Sequence, residues 1–197
     1  TFSLPNLSFE YLQPVPGSFG SITWGSYVSH FDGSTYIYGS STNGEKKEAY
    51  VAKASAENLD SKWTYWDGHS WTANAAASAV LLSNVDPEYS VTTYDGMYLL
   101  LTGIPLSSYA IVYFGCSPTG PFVDPHSFVA SLRILGYGEQ FWHEDDVYVY
   151  DELIQPSLSN SGSLIVSYDR NALDFTSIID NAAIYRPQYL RLEISVN

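Results

Sequence analysis

Three stretches of the chain repeat one strand–turn–strand pattern, and this repeat limits the fold more than any single motif does. The first covers residues 26–39 around Asp32-Gly33, and the second covers residues 89–101 around Asp95-Gly96. A looser third joins residues 148–151 to residues 161–168 around Gly162. The turn glycines Gly33, Gly96 and Gly162 lie 63 and then 66 residues apart. A fixed period of this size marks a repeated supersecondary unit. Four short strands in about 60 residues describe a large propeller blade. A chain of 197 residues holds about three such units. Three blades do not close a ring.

Composition points the same way. The chain has 17 Tyr, 9 Phe and 5 Trp, and such residues favour half-buried pleated surfaces. The predicted class is all-β: about three blades of a propeller, near residues 18–72, 86–132 and 145–195, in a single unit. No linker divides it. The alanine run within residues 72–82 reads as a connection with a short helix. The turn Ser117-Pro118-Thr119-Gly120-Pro121 separates two outer strands. Tyr189 to Ile194 alternate as a strand should.

The formal net charge is −13, with only 8 Lys and Arg. That argues against nucleic acid and anionic membrane as partners, since both require basic patches. No apolar run is long enough for a transmembrane helix. The one cysteine, Cys116, ends an apolar run and reads as a buried structural thiol. The chain starts without Met, which suggests processing, and Asn6-Leu7-Ser8 is a glycosylation sequon. The expected location is extracellular.

At Tyr150-Asp151-Glu152-Leu153-Ile154-Gln155-Pro156-Ser157, Leu164-Ile165-Val166-Ser167-Tyr168-Asp169 and Tyr185-Arg186-Pro187-Gln188-Tyr189, the chain resembles the closing half of a family of secreted five-bladed β-propellers. That family was long labelled as of unknown function and includes enzymes that cleave D-arabinan. Tyr36-Ile37-Tyr38-Gly39 and Gly120-Pro121-Phe122 add to the likeness. The resemblance implies a glycosidase fold whose first two blades are absent here. It departs from the family where Asp151, Gln155 and Asp169 replace Asn, His and Asn. A second polypeptide, the N-terminal half of the same precursor, is the expected source of the missing blades. A homodimer is the alternative.

Glycoside hydrolysis needs two carboxyl groups flanking the bond. Glu88 stands just before an innermost strand and is the candidate general acid. Asp151 holds the equivalent place in the third unit, and Asp169 follows its second strand; either suits a base or a modulator. Trp24, Trp142, Tyr89 and Tyr150 are candidate walls for a sugar. His30, Gln155 and Arg186 are candidate polar contacts, Arg186 through its guanidinium fork. His143, Glu144 and Asp145 are consecutive and fan apart, so they do not predict a metal centre. No cofactor is expected, although an axial calcium or sodium ion stays open. The leading function is hydrolysis of a polysaccharide. The alternative is a non-catalytic propeller that binds carbohydrate or protein.

Overall fold

A computed structural model describes residues 2–3, 5–12, 14–17, 20–43, 46–55, 59–104, 109–128, 147–160, 162–182 and 184–193. These residues form an all-β chain with one short helix, α1 (Phe175–Asp180). A small hairpin of β1 (Phe2–Ser3) and β2 (Ser8–Phe9) comes first. The first large sheet is an antiparallel meander of β3 (Thr23–Phe31), β4 (Ser34–Asn43), β5 (Lys46–Ser55), β6 (Thr64–Trp66) and β7 (Trp71–Thr72). The alanine run forms a 3₁₀ turn at Ala75–Ala77, capped by the Asn74 side chain, and β8 (Leu82–Ser83) then returns to pair with β5. The second sheet holds β9 (Tyr89–Tyr94), β10 (Met97–Gly103), β11 (Ala110–Gly115) and β12 (Val123–Phe128) in sequential order. The third holds β13 (Val147–Ile154), β14 (Ser163–Ala172) and β15 (Gln188–Glu193). No helix among the described residues is long and apolar enough to cross a membrane.

The first two repeated turns have one geometry. Asp32 and Gly33 have φ of 47° and 70°, and Asp95 and Gly96 have 48° and 78°. Positive φ at both central residues is the type I′ turn, whose twist matches that of the flanking strands. The third repeat differs. Between β13 and β14 the chain makes a 3₁₀ turn at Pro156–Leu158, with Pro156 at its start. That connection therefore occupies more than a two-residue loop.

Side-chain alternation builds two cores from one strand. On β10, Leu100 packs toward the first sheet with Tyr38, Val51 and Val91. Its neighbours Leu99 and Leu101 pack toward the third sheet with Val149, Ile154, Leu164 and Val166. All three leucines are fully buried, each stabilising the fold by about 2 kcal/mol through apolar transfer. The second sheet is thus the filling between the other two.

The first strands of the three sheets are joined by polar links. Ser29 Oγ on β3 donates to the Val91 carbonyl on β9 at 2.6 Å. The Ile154 N–H on β13 donates to Ser90 Oγ at 2.9 Å. Tyr27 Oη spans from β3 to the Ile154 carbonyl at 3.1 Å. Consecutive residues Ser90 and Val91 therefore serve opposite neighbours, as the period of two requires.

Cys116 departs from the sequence expectation. It falls one residue past the end of β11 and is exposed. The apolar run is buried only as long as it stays in the strand.

Tyr89 is 0% exposed, and its hydroxyl donates to the Gly39 carbonyl at 2.8 Å and the Tyr50 carbonyl at 3.1 Å. Tyr89→Phe removes a donor shared by two strands of the neighbouring sheet. It should lower unfolding free energy by about 1–2 kcal/mol, measured by urea denaturation.

Candidate functional site

The site is built around an irregularity in β13. Its pairing with β14 shifts register between Tyr150 and Leu153. Within that bulge Asp151 has φ of 65°, the left-handed region that L-residues seldom occupy. Bulges re-aim side chains and gather near functional sites. Here the bulge turns two successive carboxyl groups, Asp151 and Glu152, out of simple alternation.

Glu152 points inward. It is 1% exposed, and neither carboxyl oxygen has a hydrogen-bond partner. It lies against the end of β10: a Cβ added to Gly103 would collide with the Glu152 carboxyl. Burial pushes its pKa up to about 7; its own backbone N–H, which does not reach hydrogen-bond geometry, opposes the rise, and Asp86 and Asp151 add to it. Asp86 is buried on the other side of the same strand end. Its N–H donates to Thr102 Oγ1 at 2.7 Å, and Lys47 Nζ lies 3.6 Å from Oδ1. Burial raises its pKa as well; Lys47 opposes this, and Asp151 contributes to the rise.

Asp151 is half-buried and is also held above the ordinary carboxylate range. Burial is the main cause, followed by repulsion from Glu88 and then Asp169. Asp151 is thus within electrostatic reach of the other two carboxyls singled out in the sequence, Glu88 and Asp169. Glu88 is exposed at the start of β9. Asp169 sits opposite Tyr150 in the β13–β14 ladder. The Tyr150 hydroxyl is raised by burial, then by Tyr185, Asp169 and Asp151.

The other expected residues scatter. Tyr89 packs in the core between the first two sheets and walls no cleft. His30 lies beside the first hairpin turn, where Nδ1 is 2.9 Å from Thr35 Oγ1. Gln155 is tied into the third sheet: Nε2 donates to Ser167 Oγ at 2.8 Å, and its N–H donates to the Ile165 carbonyl. Arg186 is exposed in the turn before β15. Trp24 stacks edge-on to Trp63 and tilted against Tyr65, and it lines a separate cavity of about 560 Å³ with Gly17, Ile22 and Ser78. Trp142 lies outside the described residues, as do His143, Glu144 and Asp145. Among the described residues no group of three His, Cys, Asp or Glu is spaced to hold a metal ion.

Sequence reading missed Asp86 and Glu152. For Glu152 a signal was present: the consecutive acids Asp151 and Glu152 interrupt an otherwise apolar and aromatic strand.

Residues 1–194 match the family model described as "Domain of unknown function (DUF5005)". No curated protein matches the chain. Among solved structures, a Bacteroides ovatus protein provisionally described as a hydrolase aligns with a TM-score of 0.63 at 22% identity, covering 87% of this chain and 45% of that one. The chain therefore spans less than half of that protein's length. At this identity the likeness shows a shared fold alone. An α-L-arabinofuranosidase from Podospora anserina, solved with cellotriose, aligns at a TM-score of 0.44 and 12% identity, covering 78% of this chain and 46% of that one.

The Glu152 carboxyl yields a pH signature. In the unfolded chain it titrates near 4.5, and in the folded chain near 7. Below pH 4.5 both states hold the proton and nothing is lost. As pH rises from there to about 7 the unfolded state gives up its proton first, so stability falls and then levels off. Glu152→Gln removes this loss. Its unfolding free energy relative to the native chain should increase by about 3 kcal/mol between pH 4.5 and pH 8. Denaturant midpoints across that range measure it.

Proposed function

The chain belongs to the DUF5005 family, and from that premise we propose that it is part of a glycoside hydrolase that cleaves polysaccharide with paired carboxyl groups. One observation carries this reading: Asp151, held in a left-handed bulge and half-buried, has Glu88 and Asp169 close enough to raise its pKa. Like charges placed together split into one group that keeps its proton and others that stay ionised. Glycosidic cleavage needs such a pair: one carboxyl gives a proton to the leaving oxygen, and the other activates water or attacks.

The arrangement supports Asp151, rather than Glu88, as the proton donor. Asp151 is partly withdrawn from water, whereas Glu88 is exposed just before β9. Asp169 assists by repelling charge on Asp151. Tyr150, opposite Asp169 on the ladder, offers a ring and a hydroxyl to a sugar.

The three sheets are proposed as an arc of a larger propeller. Their first strands touch in sequence, and each sheet meanders outward from them. The far side of the third sheet exposes Tyr185 and Tyr189, and Phe175 and Ile179 on α1 are exposed as well. The span of less than half of the Bacteroides ovatus protein is in keeping with an incomplete ring. A second polypeptide, or the rest of a longer chain, would close it and add carboxylates of its own. The sequon at Asn6 favours action outside the cell.

With the ring complete, Asp151→Asn and Glu88→Gln should each reduce turnover of a cleaved polysaccharide by about 10²–10⁴-fold. Neither should unfold the chain, and Asn tolerates the left-handed conformation at position 151. Reducing-end release assays measure it. Undiminished turnover in Asp151→Asn would leave a carbohydrate-binding propeller without catalysis.

A further inference from the structure

A cavity of about 490 Å³ opens between the second and third sheets. It lies at the other end of the inner strands from the carboxyls. Glu88 precedes β9, whereas Thr92 to Asp95, at the far end of that strand, line the cavity. A strand rises about 3.3 Å per residue, so Asp95 stands about 20 Å from Glu88. The connection from β13 to β14 forms the opposite wall through Ser159 and Asn160. Ser159 Oγ donates to the Gln155 carbonyl at 2.8 Å and accepts the Ile165 N–H at 2.9 Å, which fixes that wall. Ile154 and Leu164, both almost wholly buried, complete the lining between the sheets.

Thr92 is the second and independent observation. It is 6% exposed, and among the described residues no hydrogen bond reaches its hydroxyl. Ser90 stands on the same face of β9 and accepts the Ile154 N–H of the third sheet, so Thr92 faces that sheet and the cavity before it. A buried hydroxyl left unpaired is costly, and a ligand oxygen in the cavity would pair it.

We propose that this cavity is a saccharide-binding site separate from the acidic end, and that it seats a neutral sugar unit of an oligosaccharide or polysaccharide. The lining carries no Lys, Arg or His, so nothing in it pairs with a phosphate, a sulfate or a uronic acid. Its one carboxylate, Asp95, is too little charge to hold a bare divalent cation. A wholly apolar ligand would leave the Thr92 hydroxyl unpaired. A sugar ring meets both demands at once. Its C–H face packs against Ile154, Leu164 and the Tyr94 ring. Its hydroxyls donate to Asp95 and Thr92 and accept from the Asn160 amide. The type I′ turn holds Asp95 in place, with φ of 48°. Preformed cavities of about 300–1,000 Å³ with a few placed polar groups are the usual seats of small ligands. The site uses none of the carboxyls of the hydrolysis reading and stands without them.

Amide chemical shifts of the full chain, followed as tetramers of glucose, xylose, arabinose and galacturonic acid are added, test this. At least one neutral tetramer should move the amides of Thr93, Asp95, Asn160 and Gly162. The galacturonic acid tetramer should bind about tenfold more weakly than that neutral one. Thr92→Val keeps the shape of the side chain and removes the hydroxyl, and Asn160→Ala removes the amide. Each should weaken the neutral tetramer about fivefold. Asn160 is exposed, so that variant carries the test even if Thr92→Val fails to fold. No shift at the four amides with any neutral tetramer, unchanged affinity in Asn160→Ala, or equal affinity for the galacturonic acid tetramer would each overturn the proposal. The hydrolysis reading fails separately. Shifts at these amides that persist in Asp151→Asn, with no cleavage of any glycan, sink only the catalytic reading. Cleavage without such shifts sinks only this inference.

Discussion

The strand β10 carries the rest of the structure. Leu100 faces one neighbouring sheet while Leu99 and Leu101 face the other, and all three are fully buried. Close-packed interiors transmit displacement, so a shift in β10 would reach both neighbouring sheets. Its last residues, Thr102 and Gly103, then leave the apolar region and become the platform on which Asp86 and Glu152 meet. One strand thus sets the sheet spacing and the separation of two buried carboxyls.

Polar links between the inner strands complement this packing. Ser29, Ser90 and Tyr27 supply side-chain hydroxyls to backbone groups on adjoining sheets. Small hydroxyls allow a close approach that larger apolar residues would prevent. They also fix the axial offset of each sheet relative to the next. That offset places the β13 bulge level with the start of β9, which brings Asp151 within range of Glu88.

Much of the fold was legible because local chemistry and long-range structure agree. Asp32-Gly33 and Asp95-Gly96 read as hairpin turns, and their backbone angles are those of such turns. The alternation from Tyr189 onward is the observed β15. Legibility stopped where the outcome depends on partners distant in sequence. Tyr89 looks like any aromatic next to an acid; only the arrival of Gly39 and Tyr50 makes it core. Cys116 follows five strand residues of apolar or aromatic character, yet the strand ends one residue too early to bury it. Glu88, Asp151 and Asp169 were identifiable as acids near strand ends. That Glu88 and Asp169 both act on Asp151 goes with a bulge, and no composition or period announces its position. Asp86 and Glu152 owe their burial to contact with the end of β10, which is distant in sequence from Glu152 and not announced by the residues beside Asp86.

Gly103 has a consequence for how such a chain can drift in sequence. A hydrogen at position 103 lets the Glu152 carboxyl lie where it does at the end of β10. Positions 99–101 can exchange among apolar residues of similar volume without disturbing the acids beyond them. A larger residue at position 103 requires the Glu152 carboxyl to move. Even a methyl group there displaces the carboxyl at position 152, and with it the balance of charge beside Asp86 and Asp151. In related chains these two positions should therefore change together, glycine accompanying the long acid and a larger residue accompanying its loss.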